Sequence, residues 1–356
     1  MRKIFFLVGS LLSLPVLSVE IDLGDAAKYN AFFKEDFNVQ RADTQGRVAV
    51  GGDMNVSGQY SVGDLINQFN MGDGPALVVA GDINKTSKNE FLTVLNGDTL
   101  YSGSVTGTNI SANLVKTETA NLPVNFDEAF SYLDNLSNDL MALTASGNTV
   151  KSGWYLDFTP ATMPEDNVYV FDVTQEQMNT TGGWRVNGVS DDATVVFNIT
   201  NTNNIAGENT WSNNTCLKDQ IGCVEISQTN ISINGDLLSS HVNEFNLDNR
   251  LASQVLFNFS GATQVNLASD LYATILAPSA DIKTNDSVIW GQVIGKSWQG
   301  GMQINYDPFQ PVGKTTSVPL PPTVWLFVLG IAFVIYSRRV TVITPKTDRL
   351  NLQSTC

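Results

Sequence analysis

Short apolar runs that stop at a glycine and an aspartate recur along the chain. The segments "RVAVGGD", "ALVVAGD", "LTVLNGD" and "ISINGD" end at Asp53, Asp82, Asp98 and Asp236. We expect each run to be a β-strand, because glycine adopts positive φ without strain and aspartate caps the turn that follows. The intervals between the runs differ, so the sequence predicts a loose repeat of short strands.

The most continuous β pattern lies between residues 255 and 306. Strands are predicted there at residues 255–259, 264–267, 273–276, 280–283, 288–294 and 302–306. We expect corners at Pro278, at Asn285 with Asp286, and at Gly295. Short strands joined by such corners predict a mainly β fold, a β-solenoid (parallel β-helix-like) whose stacked coils share one core. A β-sandwich, which also has short strands at these intervals, is the alternative.

One segment has helical periodicity instead. Between Asn125 and Leu143, apolar residues recur at the spacing of one helix face, at Phe126, Phe130, Leu133, Leu136, Leu140 and Leu143. Asn125 and Glu128 have the spacing of a capping box. The sequence therefore predicts one long helix packed alongside the β-solenoid.

The N-terminus has the layout of a secretory signal peptide over residues 1–18. Arg2 and Lys3 precede an apolar run too short to span a bilayer, and small residues close it. We expect a single β domain over residues 19–307. A Pro- and Gly-containing linker over residues 308–317 then separates this domain from the C-terminal segment.

Residues 318–339 are apolar and end in Arg338 and Arg339. By the positive-inside rule, this pattern predicts a transmembrane helix whose tail, residues 340–356, stays cytoplasmic. An N-terminal signal and a C-terminal anchor together place the main body outside the cell.

The chain is acidic and sparsely charged, with a net charge of −15 and 15% charged residues. Negative charge repels nucleic acid and anionic membrane surfaces, so neither is an expected partner of the exported domain. It can attract divalent cations, and the segments "NMGDGPA" and "VSDDAT" offer candidate Ca²⁺ ligands in Asn70, Asp73, Asp191 and Asp192. Neither segment matches a known calcium motif, and no other cofactor is expected.

Two of the three cysteines, Cys216 and Cys223, are seven positions apart. In an exported protein this spacing favours a small disulfide loop. A metal site is the alternative, but no further ligands lie nearby in the sequence. The third, Cys356, is the last residue.

No catalytic constellation accompanies these features, so we expect a non-enzymatic protein. A polysaccharide-active enzyme is the alternative, with carboxylate pairs at Asp191 and Asp192 or at Asp270 and Asp281. Aspartates are more often turn residues. The single histidine, His241, is not accompanied by the G-x-S-x-G motif of a nucleophile elbow.

Ice binding is a third hypothesis for the function. It calls for a regular threonine ladder along the coils. The chain supplies Thr106 and Thr108 once, in "VTGTNIS", and no later segment repeats them. We therefore expect no thermal hysteresis.

The body of the chain resembles the choice-of-anchor A family. The matching segments are "QGRVAVGGD" at residues 45–53 and "ILAP" with "GQVIG" within residues 275–295, and the resemblance extends over roughly residues 21–309. It implies a bacterial surface protein with an adhesive role, and it brings no catalytic residues. The closing segment also resembles, more distantly, the β-solenoid of bacterial ice-binding proteins, which pack one helix along their coils.

The C-terminal segment resembles the PEP-CTERM class of sorting signals in its VPLP variant. The residues that match are Val318, Pro319, Leu320, Pro321, Arg338 and Arg339. The resemblance implies a Gram-negative bacterium and an exosortase-like membrane protease as a partner. Such signals usually end soon after the basic residues, whereas residues 340–356 follow here, so both cleavage and retention of the anchor stay open.

We therefore expect an exported protein, anchored at the C-terminus on the cell surface. Its expected role is adhesive or matrix-associated, and its expected ligand is an extracellular polysaccharide or a matrix or host protein.

Overall fold

The computed structural model describes residues 21–311, except 86–90, 108, 165, 180–181, 201–215, 217–219, 227–229, 244–245 and 248–249. The chain divides into two compact units, Met1–Lys314 and Thr315–Cys356, and all described residues belong to the first. The predicted signal peptide, the sorting signal and the cytoplasmic tail lie outside the described residues. Within the described ranges, no helix is both long enough and apolar enough to cross a membrane.

The N-terminal part of the described chain consists of short strands. They are β1 (Ala31–Phe33), β2 (Phe37–Val39), β3 (Ala42–Thr44), β4 (Val48–Val50), β5 (Met54–Val56), β6 (Gln59–Val62), β7 (Leu77–Val79), β8 (Ile83–Lys85), β9 (Phe91–Tyr101), β10 (Val105–Thr106) and β11 (Ile110–Lys116). Short 3-10 helices occur at Gly24–Lys28 and Thr119–Asn121, and the long helix α1 (Phe126–Met141) follows.

The C-terminal part returns to strands. They are β12 (Gly147–Ser152), β13 (Tyr155–Pro160), β14 (Val168–Thr174), β15 (Gly183–Val186), β16 (Thr194–Thr200), β17 (Cys223–Ile226), β18 (Ile231–Ile233), β19 (Asp236–Leu237), β20 (Val255–Asn258), β21 (Gln264–Leu267), β22 (Leu271–Tyr272), β23 (Thr274–Thr284), β24 (Val288–Trp290), β25 (Val293–Gly300) and β26 (Gln303–Asn305). A short helix α2 (Gln175–Asn179) and 3-10 helices at Leu238–His241 and Ala252–Gln254 interrupt them.

The fold is mainly β, and its large sheet pairs in parallel throughout the described residues. Of the strands, 21 belong to this sheet and five (β12, β13, β15, β18 and β19) to a second sheet. The parallel pairing does not fit the antiparallel sheets of a β-sandwich, the alternative fold predicted above.

The pairings arrange the strands of the large sheet in three rows. Row A runs in the order β14, β16, β20, β23, β25, β1, β4, β7, β9 and β11. Row B runs β17, β21, β23, β25, β2, β5, β8 and β10. Row C runs β22, β24, β26, β3, β6, β9 and β11. The chain passes through rows A, B and C in turn, and we call one such passage a circuit.

The first circuit of the chain pairs with the last, so β1 lies between β25 and β4. We call this junction the seam. The buried Asn30 side chain donates to the carbonyls of Gly291 (2.7 Å) and Asn305 (3.2 Å) and accepts from the Gly46 N–H (3.1 Å). The side chain of Gln292, also buried, adds a further bond across the seam, to the Tyr29 carbonyl (2.7 Å). Buried amides with this many partners fix the register of the junction.

The predicted long helix is confirmed as α1, and Asn125 caps it as expected. The Asn125 side chain accepts from the Glu128 N–H and donates to the Glu128 carboxylate. The buried face of α1 packs on the outward side of row A, where the eight strands from β14 to β7 each carry a buried apolar residue. These residues are Val170, Val196, Leu256, Leu276, Ile294, Phe32, Ala49 and Val78. The short helix α2 has no counterpart in the sequence expectations.

The Gly-Asp corners form for a different reason from the predicted one. Gly52 and Gly81 do not have positive φ. A Cβ at Gly52 would lie 2.4 Å from an Asp36 carboxylate oxygen, and one at Gly81 would lie 2.2 Å from an Asp53 oxygen. Glycine is required there because the carboxylate of the neighbouring circuit occupies the space of a side chain. Among the four predicted corners, Gly235, which precedes Asp236, does have positive φ.

Two strand boundaries also differ from the sequence prediction. The predicted strand at residues 288–294 is two strands, because Gly291 turns the chain at φ 155° where a Cβ would lie 2.1 Å from the Ala273 carbonyl oxygen. Conversely, β9 runs through Asp98 without ending, and β23 runs through Pro278 with a register shift instead of a break. Short corners can keep strand geometry, which the sequence pattern does not reveal.

Candidate functional site

A column of aspartates marks the corner between rows A and B. The Asp53 N–H donates to an Asp36 carboxylate oxygen at 2.9 Å, and the Asp82 N–H donates to Asp53 at 2.7 Å. The Ser104 N–H continues the column by donating to Asp82 at 2.6 Å, and this bond lowers the pKa of Asp82. Each circuit is thus pinned to the next one by a charge-assisted bond.

Beside this column, the outward side of row B carries a ladder of amides. The Asn55 side chain donates to the Asn38 side-chain oxygen at 2.9 Å, and the Asn84 side chain donates to Asn55 at 3.1 Å. The Thr106 hydroxyl donates to the Asn84 oxygen at 2.8 Å. A carboxamide has two N–H donors and two acceptor lone pairs, so each ladder bond leaves hydrogen-bonding capacity on both residues.

The ladder continues across the seam. Gln299 pairs in register with Asn38, and Lys283 pairs with Gln299. We call these six outward residues, Asn38, Asn55, Asn84, Thr106, Gln299 and Lys283, the amide face. With strands about 4.8 Å apart, it is about 24 Å long.

A disulfide loop bounds the amide face at one end. Cys216 and Cys223 are joined by a disulfide with a Cα–Cα distance of 5.6 Å. The next outward residue of row B, Asn266, is buried and lies with its side-chain nitrogen 3.4 Å from the Cys216 sulfur. The disulfide therefore packs against the outward residue of row B that follows Lys283, where the open face ends.

A groove of about 970 Å³ lies on row C, at the corner where the first circuits leave row B. Its lining combines hydroxyl, amide, charged and aromatic side chains, namely those of Arg41, Asp43, Ser57, Gln59, Ser61, Phe91 and Thr93. Beneath it, the buried Tyr60 hydroxyl lies 2.7 Å from that of Thr44, and burial raises the pKa of this phenol. The groove is polar, and Phe91 presents an exposed ring in it.

The candidate calcium ligands do not come together as one site. Asn70 and Asp73 lie in an exposed loop where the Arg47 guanidinium donates to the carbonyls of Gly72 and Asp73. The guanidinium thus uses hydrogen-bonding capacity of two carbonyl oxygens of this loop. In the other segment, Asp191 and Asp192 lie in an exposed turn, and the Asn167 side chain is 3.4 Å from both Asp192 oxygens. The described residues contain no group of three or more metal-binding acidic, Cys or His side chains.

Asp270 and Asp281, considered above for catalysis, form hydrogen bonds to residues of the neighbouring strand in the sheet. Asp270 accepts from the Ser287 hydroxyl and from the Val288 N–H. Asp281 accepts from the Ser297 hydroxyl at 2.7 Å and pairs with Lys296. His241 lies 3.9 Å from Asp236.

Sequence reasoning missed the amide face, although a signal for it is present. The segments "DFNV", "DMNV" and "DINK", at residues 36–39, 53–56 and 82–85, each place an Asn two positions after the corner Asp. In a strand, the residue between them points into the core and the Asn points outward. The predicted repeat ends at the corner aspartate, whereas the asparagines lie in the strand that follows it.

Comparison with known proteins gives one family match. A family model described as "Putative Ice-binding-like adhesive domain" matches residues 22–306. No curated protein is similar enough to count as a match.

Three solved structures illustrate the similarity found among known folds. An ice-binding protein from the Antarctic ascomycete Antarctomyces psychrotrophicus is 15% identical, with 81% of this chain and 98% of that chain covered and a TM-score of 0.31. One from an Antarctic biological consortium is 13% identical, with coverage of 82% and 92% and a TM-score of 0.36. A glycosylated one from an Arctic yeast is 10% identical, with coverage of 85% and 100% and a TM-score of 0.31.

Proposed function

Because the chain belongs to the family of ice-binding-like adhesive domains, which matches residues 22–306, we propose that it is a non-catalytic adhesive domain that binds extracellular polysaccharide through its amide face. The observation that carries this proposal is the ladder of Asn38, Asn55 and Asn84 on the open side of row B. A matrix or host protein is the other class of ligand that the test below can identify.

The chemistry of the amide face matches that of a polysaccharide. Sugar hydroxyls both donate and accept, as carboxamides and the Thr106 hydroxyl do. The ladder bonds hold the amides in fixed orientations, so binding orders few side chains and loses little entropy. A row of such groups along about 24 Å suits an extended polymer more than a small molecule.

We further infer that the three rows form a β-solenoid with α1 alongside. Two observations support this inference. The strands pair in parallel along each of the three rows, and apolar residues from all three rows form one shared core. A rigid body of this kind presents its faces in a fixed geometry.

The proposed cellular setting rests on the two ends of the chain. We place the domain on the surface of a Gram-negative bacterium, exported by the signal at residues 1–18. There it is held by, or released from, the PEP-CTERM-like segment at residues 318–339. An exosortase-like protease is the proposed processing partner. The resemblance to choice-of-anchor A proteins supports the same setting.

Adsorption to insoluble polysaccharides tests the proposal. The purified protein is tested on a panel that includes cellulose, chitin, bacterial exopolysaccharide and an immobilised matrix protein, with and without Ca²⁺, and is expected to be retained on at least one of the polysaccharides. The triple variant Asn38→Leu, Asn55→Leu, Asn84→Leu should lose this retention. Asn148→Leu, a matched change at an exposed position of β12, should keep it. Retention of the triple variant, or retention only on matrix protein, contradicts the proposal.

Ice binding is the second candidate, because the matched family is described as ice-binding-like. Ice binding calls for a regular ladder of threonines, whereas the amide face carries three asparagines and a single threonine. We therefore expect no thermal hysteresis from the purified protein, and a measurable hysteresis gap would replace polysaccharide with ice as the ligand.

A further inference from the structure

Arg41 has a backbone conformation that glycine adopts at lower cost. Its φ is 31°, in the left-handed region, and it is the second residue of the two-residue corner between β2 and β3. In the next circuit, the second residue of the corner between β5 and β6 is Gly58, with φ 139°. A non-glycine residue with positive φ is uncommon, and strain of this kind clusters at functional sites. The presence of arginine in place of glycine at this position therefore indicates a role for the arginine side chain.

The Arg41 side chain forms no hydrogen bond or ion pair with the residues that the structure describes. Arg47, Arg185 and Arg250 all donate to carbonyl or carboxylate oxygens, whereas the exposed Arg41 guanidinium has no partner among the residues that the structure describes. A Cβ at Gly58 would lie 2.9 Å from the Arg41 Cγ. Because Gly58 in the neighbouring circuit has no side chain, the Arg41 side chain has room to pass beside it.

The groove around Arg41 carries the other elements of a sugar subsite. Phe91 is 46% exposed, although burial of a phenylalanine side chain is the favourable state. Its exposed face can pack against the apolar face of a sugar ring. The hydroxyls of Ser61 and Thr93, which pair in register, and the side chain of Gln59 line the same groove and can bond sugar hydroxyls.

We propose that this groove binds a saccharide unit that carries one carboxylate, a uronic acid within a largely neutral chain. The proposal rests on the proposed polysaccharide ligand and names the sugar class that the protein selects. The guanidinium fork matches a carboxylate in a bidentate pair, which an uncharged sugar cannot form. Asp43 in the same groove and the net charge of −15 repel densely charged polymers, so an isolated uronate is favoured over a polyuronate.

Calorimetric titration of the purified full-length protein tests the assignment with two matched ligands. One is an oligosaccharide of neutral sugars that bears a single glucuronate, and the other is the same molecule with the carboxylate reduced to an alcohol. We expect the first to bind about tenfold more tightly or better, since a charge-assisted pair is lost in the second. The preference should weaken as the salt concentration rises.

Variants separate this role from a structural one. Arg41→Gly should abolish the preference while the unfolding temperature stays the same or rises, because glycine fits the backbone at φ 31°. Arg41→Lys should keep part of the preference. Lys28→Gln, which makes the same charge change on an exposed residue outside the groove, should leave both properties unchanged.

Three results would overturn the assignment. They are equal affinity for the two ligands, a preserved preference in Arg41→Gly, and a lowered unfolding temperature in that variant. The triple variant of the amide face distinguishes this failure from that of the proposed function. If the amide face is the adhesive surface, that variant loses retention on insoluble polysaccharide and still binds the glucuronate ligand. If it keeps retention, the proposed function fails, whereas the comparison of the two ligands in wild type and Arg41→Gly still tests the groove by itself.

Discussion

Rows A and B have the same parallel strands and opposite roles. In both rows, residues on one side of each strand enter the shared core. On the other side, row A carries residues such as Phe32, Val78 and Leu276, which α1 covers, and row B carries the amides of Asn38 and Asn55. One outward residue per strand therefore decides whether a row becomes a packing surface or an open face.

Asparagines also occur on row A, and their surroundings differ. Asn198 and Asn258 are buried beneath α1, where the Asn258 side chain donates to the Asn198 oxygen (2.9 Å) and to the Ser137 carbonyl (2.9 Å). The Asn198 side chain donates to the Leu140 carbonyl at 2.8 Å. These amides are saturated by the helix, whereas those of row B keep capacity for a ligand.

The largest expected effect comes from making row A resemble row B. Leu276→Asn removes a fully buried apolar side chain and places an amide under α1, where its in-register neighbour Asn258 already donates both N–H groups to Ser137 and Asn198. We expect a loss of about 4 kcal/mol in the free energy of unfolding. Urea denaturation measures it, and a loss below about 1 kcal/mol would show that α1 does not pack there as described.

The next largest effect concerns the buried amides. Asn258→Ala removes both side-chain donor bonds and strips the Ser137 hydroxyl of its acceptor. We expect a loss of about 3 kcal/mol, because buried groups are left unsatisfied. Thermal unfolding of Asn258→Ala beside Asn84→Ala, on the open face, measures the contrast. Equal losses would contradict it.

A pH series separates stability from binding. Burial raises the pKa of Asp307 to about 7, and Arg250 opposes the shift in part. The folded state then holds a proton that the unfolded state releases near pH 4, so stability should fall as pH rises from 4 to 7, by a few kcal/mol at most. Asp307→Asn should flatten this slope. The amides of row B do not titrate, and retention on polysaccharide should stay constant over the range in which the protein is folded.

The disulfide has a smaller expected effect. Cys216→Ser with Cys223→Ser opens a loop of seven positions and should cost about 2 kcal/mol, by the loop-entropy estimate. Because the disulfide contacts Asn266 beyond the end of the open face and lies outside the amide face, polysaccharide retention should persist. Loss of retention at unchanged folding would place the loop within the binding surface.

The smallest expected effect on stability comes from the converse exchange. Asn55→Leu on the open face should change the free energy of unfolding by less than about 1 kcal/mol, since the site is half-buried and its bonds are replaceable by water. Its retention on polysaccharide should nevertheless fall. A loss near that of Leu276→Asn would mean that the ladder exists for stability.

The sequence predicted row A better than row B for a physical reason. The apolar stripe of α1 and the buried strands have periodicities that follow from water exclusion, so Phe130 and Leu133 identify the helix face. The amide face depends on three asparagines that are 17 and 29 positions apart, a spacing set by loop lengths that no periodicity reveals. Likewise, the need for glycine at Gly52 and Gly81 arises from a neighbouring circuit, which local turn rules do not include.

The most direct test follows the side-chain amide resonances of asparagine by NMR during titration with a soluble oligosaccharide of the retained polymer. The account predicts shifts for Asn38, Asn55 and Asn84 on row B and none for Asn198 and Asn258 beneath α1. Unchanged resonances on row B at saturating ligand would contradict the claim that the amide face is the adhesive surface.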